Sequence, residues 1–408
     1  MDLTLDLNDT RLFTEQRHHE IFSLLRENDP VHWNAPSSGM PGYWVVSRYG
    51  DVAAAYSDTA MFSSVGGSVH GDSYRHEGDS AAGRMLSASD PPYHRLLRRQ
   101  LRELFGADMT ARVAVRAAER IGAAFDRALA DGGCDFAADI APELPAATIA
   151  ELLGVSRSAA CDLAALTRRI IGFRDPSFGG GDDDRLGLAV AQAEVFEFFA
   201  TLIADRRVRP GEDLVSALLA ARVNGRPLPE EDVYYNCLNV AVGGNETTPY
   251  TATAGILALA ENPGERAALD ANPDLAEPAV GEILRWTSVN AYTRRIATAD
   301  VVLAERKISR GDSVTLWNVS ANRDDEQFGD ASRFRVGRMP NRHLSFGFGI
   351  HRCIGSVMAQ AELTALLRLM TERRLRVEVA GEPVRLRSNF IQGITSLPVV
   401  VTREGSSS

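Results

Sequence analysis

The sequence is nearly without lysine: of its 44 basic residues only Lys307 is one, and the others are arginines. That skew points to a GC-rich coding genome, a compositional inference only. Basic charge is not in excess either. The 54 acidic residues outnumber the basic ones and leave a formal net charge of -10, which excludes the basic footprint of a general nucleic-acid binder. Cysteine is sparse. Cys134, Cys161, Cys237 and Cys353 form no C-x-x-C pair, so a zinc ribbon or redox dithiol is excluded and reduced, mostly buried thiols are expected. No stretch reaches the roughly 18 consecutive apolar residues of a membrane helix. The longest candidate, 240–260, is interrupted by Gly243, Gly244, Asn245, Glu246 and Pro249. The first residues carry Asp2 and Asp6 and no basic stretch, so no leader peptide is read there and a soluble, cytoplasmic protein is expected. No internal period occurs, which excludes a repeat scaffold. What remains is ordinary globular composition, 408 residues with 45% hydrophobic and 24% charged side chains. Such a chain can bury a large core without disulfides.

Apolar spacing predicts mainly helices: 15–27, 91–105, 110–130, 141–153, 157–172, 186–206, 213–222, a long one from Pro229 to about 262, 275–286 and 354–373. Short strands are expected at 31–33, 43–46, 294–299, 301–304, 313–317 and 398–402. There is no βαβ rhythm, which argues against a doubly wound sheet. Three segments read as loops: 63–89, 175–184 and 321–342. The first two lie between helices, as lids do, and are expected to be flexible, and the tail 403–408 is expected to be disordered.

The most informative run is Phe346-Gly347-Phe348-Gly349-Ile350-His351-Arg352-Cys353-Ile354-Gly355. Two glycines at spacing two permit a tight turn with positive φ. Cys353 ends that turn just before a helix start, with Arg352 and His351 beside it. A helix N-terminus and nearby cations lower a thiol pKa, so Cys353 is expected to be a thiolate. With no second ligand at zinc spacing, a lone thiolate suggests an axial ligand to haem iron. The run resembles the haem-binding signature of the cytochrome P450 family, F-G-x-G-x-H-x-C-x-G, at every specified position.

Three further motifs fall in the family's order. Glu282 and Arg285 match E-x-x-R, three apart on one helix face. The resemblance implies that this pair is structural and locked by a later arginine, for which Arg333 is the best match. Asp90-Pro91-Pro92-Tyr93-His94 followed by Arg98 resembles D-P-P-x-H-x-x-x-R, and by resemblance His94, Arg98, Arg295 and His351 partner the haem propionates. Gly243-Gly244-Asn245-Glu246-Thr247-Thr248 matches the oxygen-activation motif. Splitting dioxygen needs protons, so Thr247 is expected to hydrogen-bond the oxygen and Glu246 to relay protons. The two glycines leave room beside them. Pro249 departs from the commonest pattern. It removes a helical hydrogen bond to the Asn245 carbonyl and predicts a wider, hydrated groove.

The resemblance implies a mainly α fold, one cytochrome P450 domain over 1–408 with a small β region. It implies haem b bound through Cys353, with Phe346, Gly347, Gly355, Gly243 and Gly244 lining the haem. Electrons would come from NAD(P)H through a ferredoxin reductase and a ferredoxin. Arg95, Arg99 and Arg102 would steer the ferredoxin, and a monomer without membrane or nucleic-acid contacts is expected. The expected reaction is insertion of one oxygen atom into a small molecule, by hydroxylation or epoxidation, tailoring a natural product such as a polyketide or peptide. A faint similarity of 242–251 to hydroxylases of carrier-tethered amino acids gives an alternative. A non-oxygenating haem-thiolate protein is a second, against which Glu246 and Thr247 stand, and a cofactor-free helical scaffold is a third. Substrate-lining residues are expected in 63–89, 173–184, 242–243, 289–293 and 391–395. His70, His76, Asn290 and Gln392 would be the polar handles, and Phe390, Ile391 and Ile394 the apolar surface.

Overall fold

The computed structural model describes residues 5–37, 39–70, 81–173, 175–178 and 185–403. His76 with the rest of 71–80, the part 179–184 of the second expected lid, and 404–408 of the expected tail lie outside these residues. The architecture is mainly α, with fifteen α-helices and five small sheets among the described residues. The largest sheet has five strands in the order Val31–Asn34, Tyr43–Val46, Ser313–Trp317, Tyr292–Ala297 and Phe62–Ser63. The Tyr43–Val46 and Ser313–Trp317 pair is parallel and the other pairs are antiparallel. A second sheet joins Leu375–Val379, Pro398–Arg403 and Gly133–Asp135.

The helix Glu230–Glu261 crosses the middle of the molecule and is called the central helix below. Pro229 sets its entry, and Glu230, Glu231 and Asp232 place negative charge on its first turn, where the helix dipole favours it. Asn262 and Pro263 end it. Its far half packs with Ala276–Thr287 and Ser356–Glu372, the helix that follows the cysteine, in the larger core. Gly255 permits the closest approach, since a Cβ there would lie 2.7 Å from Ile283.

The helix Arg185–Val208 contains the one described stretch, Leu186–Val208, that is long and apolar enough by length and composition to cross a membrane. Glu194 and Glu197 interrupt its apolar run. Val195, Phe199 and Ile203 bury one side of it in the core.

The expected lock on Glu282 forms, with a different arginine. Glu282 and Arg285 are both fully buried and pair at 2.7 Å. Arg338 completes the group at 3.1 Å from Glu282. The Arg333 guanidinium is 72% exposed and reaches only Asp330. Arg333 contributes its carbonyl, which accepts from Arg285 and Arg338. The segment 321–342 is therefore not a free loop. It carries the short helix Asp325–Phe328 and delivers a buried arginine.

Candidate active site

The cysteine loop has the expected turn. Gly347 and Gly349 both adopt φ of +67°, and a Cβ on Gly349 would press to 3.2 Å on the Tyr56 carbonyl. The Cys353 N–H donates to the Phe346 carbonyl at 2.8 Å and closes the loop. Gly355 caps the helix Ser356–Glu372, two residues beyond the expected start. Cys353 has accessible surface only because it faces a cavity of about 330 Å³. Burial pushes its thiol pKa up. The Gly355 N–H, Arg98 and Arg352 pull the other way without overcoming burial. Desolvation thus opposes the thiolate that the loop's cations favour. A coordinated metal cation would deprotonate the thiol outright.

The haem implied by the sequence needs a thiol, room, and partners for two carboxylates, and the residues present fit. His94 is buried with both ring nitrogens lacking any hydrogen-bond partner. The His351 ring lies 4.1 Å from it between centroids, tilted by 44°, and reaches the Ser64 hydroxyl at 3.1 Å. Burial lowers the His94 pKa to about 4, with Arg98 adding to the effect. Arg295 is 3% exposed, donates to the Arg294 carbonyl and lies over the Tyr56 ring, with no acid paired to it among the described residues. Arg98 spends one nitrogen on the Arg352 carbonyl at 2.6 Å. Four donor side chains thus line one cavity, and among the described residues none of them is paired with a carboxylate. Buried groups of this kind require an anionic partner. Phe346, Gly347, Gly355, Gly243 and Gly244 line the same cavity. His94, Arg98, Arg295 and His351 could therefore hold the propionates, and Cys353 the iron.

The central helix forms the opposite wall. Its two glycines serve different ends. A Cβ on Gly244 would lie 3.1 Å from Ile149, whereas one on Gly243 would meet nothing and stand in the open cavity. The Thr247 hydroxyl donates to the Gly243 carbonyl at 2.9 Å. The helix runs unbroken through Pro249. Thr251 and Thr253 likewise donate to the carbonyls of Thr247 and Pro249, at 2.8 Å each. Glu246 is buried and accepts one hydrogen bond, from Thr167 at 2.9 Å. Among the described residues, its other oxygen, the Asn245 amide oxygen and the Tyr250 hydroxyl have no hydrogen-bond partner. Burial pushes the Glu246 pKa up to about 7, against the pull of Arg168 and Thr167. A carboxyl poised there can both give and take a proton near neutrality. Thr167 and Arg168 sit on another helix, Arg157–Ile171, and no sequence signal named them. A second buried acid, Glu362, accepts from Thr148 and Thr248 and is pushed by burial up to about 7.

A second cavity, of about 260 Å³, adjoins the first and includes Glu246 and Thr247 in its wall. The structure brings the expected His70, Phe173, Val242, Gly243, Asn290, Phe390 and Ile391 to it. Gln392 lines neither cavity, and Ile394 is buried in the main core instead. Both His70 ring nitrogens are within 3.2 Å of protein partners, Ser313 and Pro41, so it is a weaker handle than expected. Thr10, Gln192, Asn239 and Arg387 also line this cavity and were not foreseen.

Comparison with known proteins agrees with this geometry. A family profile described as Cytochrome P450 matches residues 187–397. Cytochrome P450 NovI of Streptomyces niveus is 35% identical over 98% of this chain and 96% of its own length. Among solved structures, P450 OxyD, described as involved in the biosynthesis of vancomycin-type antibiotics, superposes with a TM-score of 0.87 at 36% identity, covering 98% of this chain and 100% of OxyD. P450BioI, solved in complex with a fatty acid ligated to acyl carrier protein, has a TM-score of 0.83 at 25% identity, covering 97% of this chain and 100% of its own. The chain belongs to the cytochrome P450 family and is a haem-thiolate monooxygenase.

Proposed function

We propose that this monooxygenase tailors a bacterial natural product of polyketide or peptide type, by hydroxylating a C–H bond or epoxidising a double bond. In hydroxylation a substrate C–H, dioxygen, two electrons and two protons give C–OH and water. The electrons come from NAD(P)H through a ferredoxin reductase and a ferredoxin. Haem b held by Cys353 supplies the reduction of dioxygen and the transfer of one of its atoms. The chain's own residues supply position and protons. Thr247 presents its hydroxyl where the two cavities meet, and Glu246 stands behind it on the distal side. Thr167 fixes one Glu246 oxygen and leaves the other open to exchange a proton. Thr247 is a hydrogen-bonding residue in this reading, and Glu246 the acid.

The observation that carries the reading is this apposition of an acid poised near neutrality, a threonine hydroxyl and a mixed polar and apolar cavity. The involvement of OxyD in the biosynthesis of vancomycin-type antibiotics supports a place in antibiotic biosynthesis. A second reading, hydroxylation of an amino acid tethered to a carrier protein, is favoured by P450BioI having been captured with a loaded acyl carrier protein. Titration of the haem Soret band separates the two. Free polyketide-like and peptide-like molecules are expected to shift it towards high spin without a carrier. A shift confined to carrier-loaded amino acids would replace the first reading with the second.

Arg95, Arg99 and Arg102 are exposed on Tyr93–Leu101 and just beyond it, while Arg98 of the same stretch turns to the cysteine loop. In this proposal they steer an acidic ferredoxin to the cysteine side. Arg99→Glu with Arg102→Glu should slow reduction by ferredoxin and flatten its salt dependence. Unchanged rates and slope would remove the docking role.

A further inference from the structure

The cofactor cavity and the distal cavity share six lining residues: Ser68, Ser87, Asn239, Gly243, Thr247 and Asn290. This ring is the aperture through which a substrate meets the cofactor, and it carries no apolar side chain. The distal cavity beyond it is different in kind, with Ile170, Ile171, Phe173, Leu188, Phe390 and Ile391 in its wall. Ligand pockets are ordinarily apolar with a few polar groups that fix orientation. Here those groups are gathered at the aperture.

Much of their hydrogen-bonding capacity is unspent. Among the described residues, the side chains of Ser68, Ser87 and Asn239 make no hydrogen bond within the protein. Asn290 accepts from the Asn318 amide at 3.3 Å and keeps its own NH2 group free. Thr247 is committed to the Gly243 carbonyl. Asn239 and Asn290 come from separate elements. Asn239 lies one helical turn before Gly243 on the central helix. Asn290 follows the helix Ala276–Thr287 and is pinned by a β-bridge to Ile391. Two amides on independent supports can approach one group from two directions, which a single flexible side chain cannot do.

We propose that Asn239 and Asn290 recognise a carbonyl or amide group of the substrate at this aperture. The carbon that is oxidised then lies within a few bonds of that group, and the apolar body of the substrate extends into the distal cavity. This rests on the reading of the distal cavity as the substrate site and adds a substrate class to it. A hydrocarbon of the same shape would leave both amides unpaired on binding, and a site built to hydrogen-bond discriminates strongly against such an isostere.

The test is a Soret titration of the holoenzyme with two probes of matched shape, 3-phenylpropanamide and (3-methylbutyl)benzene. The native enzyme is expected to bind the amide at least ~10-fold more tightly. In Asn239→Leu and in Asn290→Leu that preference should fall, and in the double variant it should come close to unity. The carbon monoxide spectrum of each reduced variant serves as the control that haem is bound as in the native protein. An undiminished preference in a double variant with an intact spectrum would overturn the proposal, as would a native preference for the hydrocarbon. Failure of the tailoring function would appear separately, as absence of product in the reconstituted electron-transfer system, and would leave these affinity ratios as they are.

Discussion

Glu282 and Glu246 are 0% and 1% exposed, and both lie on helices of the core. Glu282 accepts from both nitrogens of the Arg285 fork, from Arg338, from the Arg335 N–H and from Asn341. Burial raises its pKa, yet the Arg285 hydrogen bonds and charge, with Arg335 and Arg338, outweigh burial and hold it below the usual carboxylate value. Glu246 accepts a single hydrogen bond and is pushed to about 7. Both carboxylates are withdrawn from solvent, yet their pKa values shift in opposite directions, and the donors aimed at each carboxylate set the difference. The saturated one locks the fold around the cysteine loop. The unsaturated one can move a proton.

The largest effect should follow from breaking the saturated site. Glu282→Ala leaves two buried guanidiniums without a counter-charge and should cost about 3–5 kcal/mol, as removal of one partner from a buried pair does. Thermal unfolding and haem content measure it, and Arg338→Ala should fall in the same range. The pH dependence has a definite sign. Because the folded pKa of Glu282 is depressed, its contribution is present above its unfolded pKa and is lost as pH falls through the folded value. Glu246 and Glu362 behave in reverse. Their raised pKa values mean that the folded protein binds more protons, so stability declines as pH rises from the ordinary range of free glutamate towards about 7.

Next comes the unsaturated site. Glu246→Gln should lower product formation by ~10²-fold or more, the usual scale of a general acid. Its unfolding temperature should hold or rise at pH above 7, since no buried charge forms. A loss of stability comparable to that of Glu282→Ala would erase the contrast between the two sites.

Smaller is the effect of Pro249→Ala. Restoring an N–H to the Asn245 carbonyl should stabilise the central helix by no more than about 3 kcal/mol. If the proline holds open the hydrated groove expected beside Glu246, the substitution should also raise peroxide release at the expense of product. If both yields stay unchanged, the proline has no part in water access. Smallest is Arg333→Ala, expected to stay within ~0.5 kcal/mol in thermal unfolding because only the exposed side chain is lost.

The contrast between these arginines shows where the sequence was readable. The cysteine loop was legible because its turn, charges and ligand are contiguous from Phe346 to Gly355, and the structure keeps them together. Helices were legible from apolar periodicity, and their ends moved by a few residues. Strands such as Gly133–Asp135 and Leu375–Val379 were not, since each is fixed by a partner far along the chain, Pro398–Arg403. Arg338 was missed because Arg333, Arg335, Arg338 and Arg342 stand in one irregular stretch with no period to choose among them. Thr167 and Arg168 were missed for a related reason: they meet Glu246 across two helices, and neither helix shows a sign of the other.

The most direct test of the account is the product formed per dioxygen consumed as a function of pH, in the native enzyme and in Glu246→Gln. Glu246 is protonated below about 7 and ionised above it, so the native ratio is predicted to be highest on the acid side and to fall as pH rises through that value. The glutamine variant should give a low, flat profile. A flat native profile, or the same decline in both proteins, would contradict the assignment of Glu246 as the proton-delivering acid.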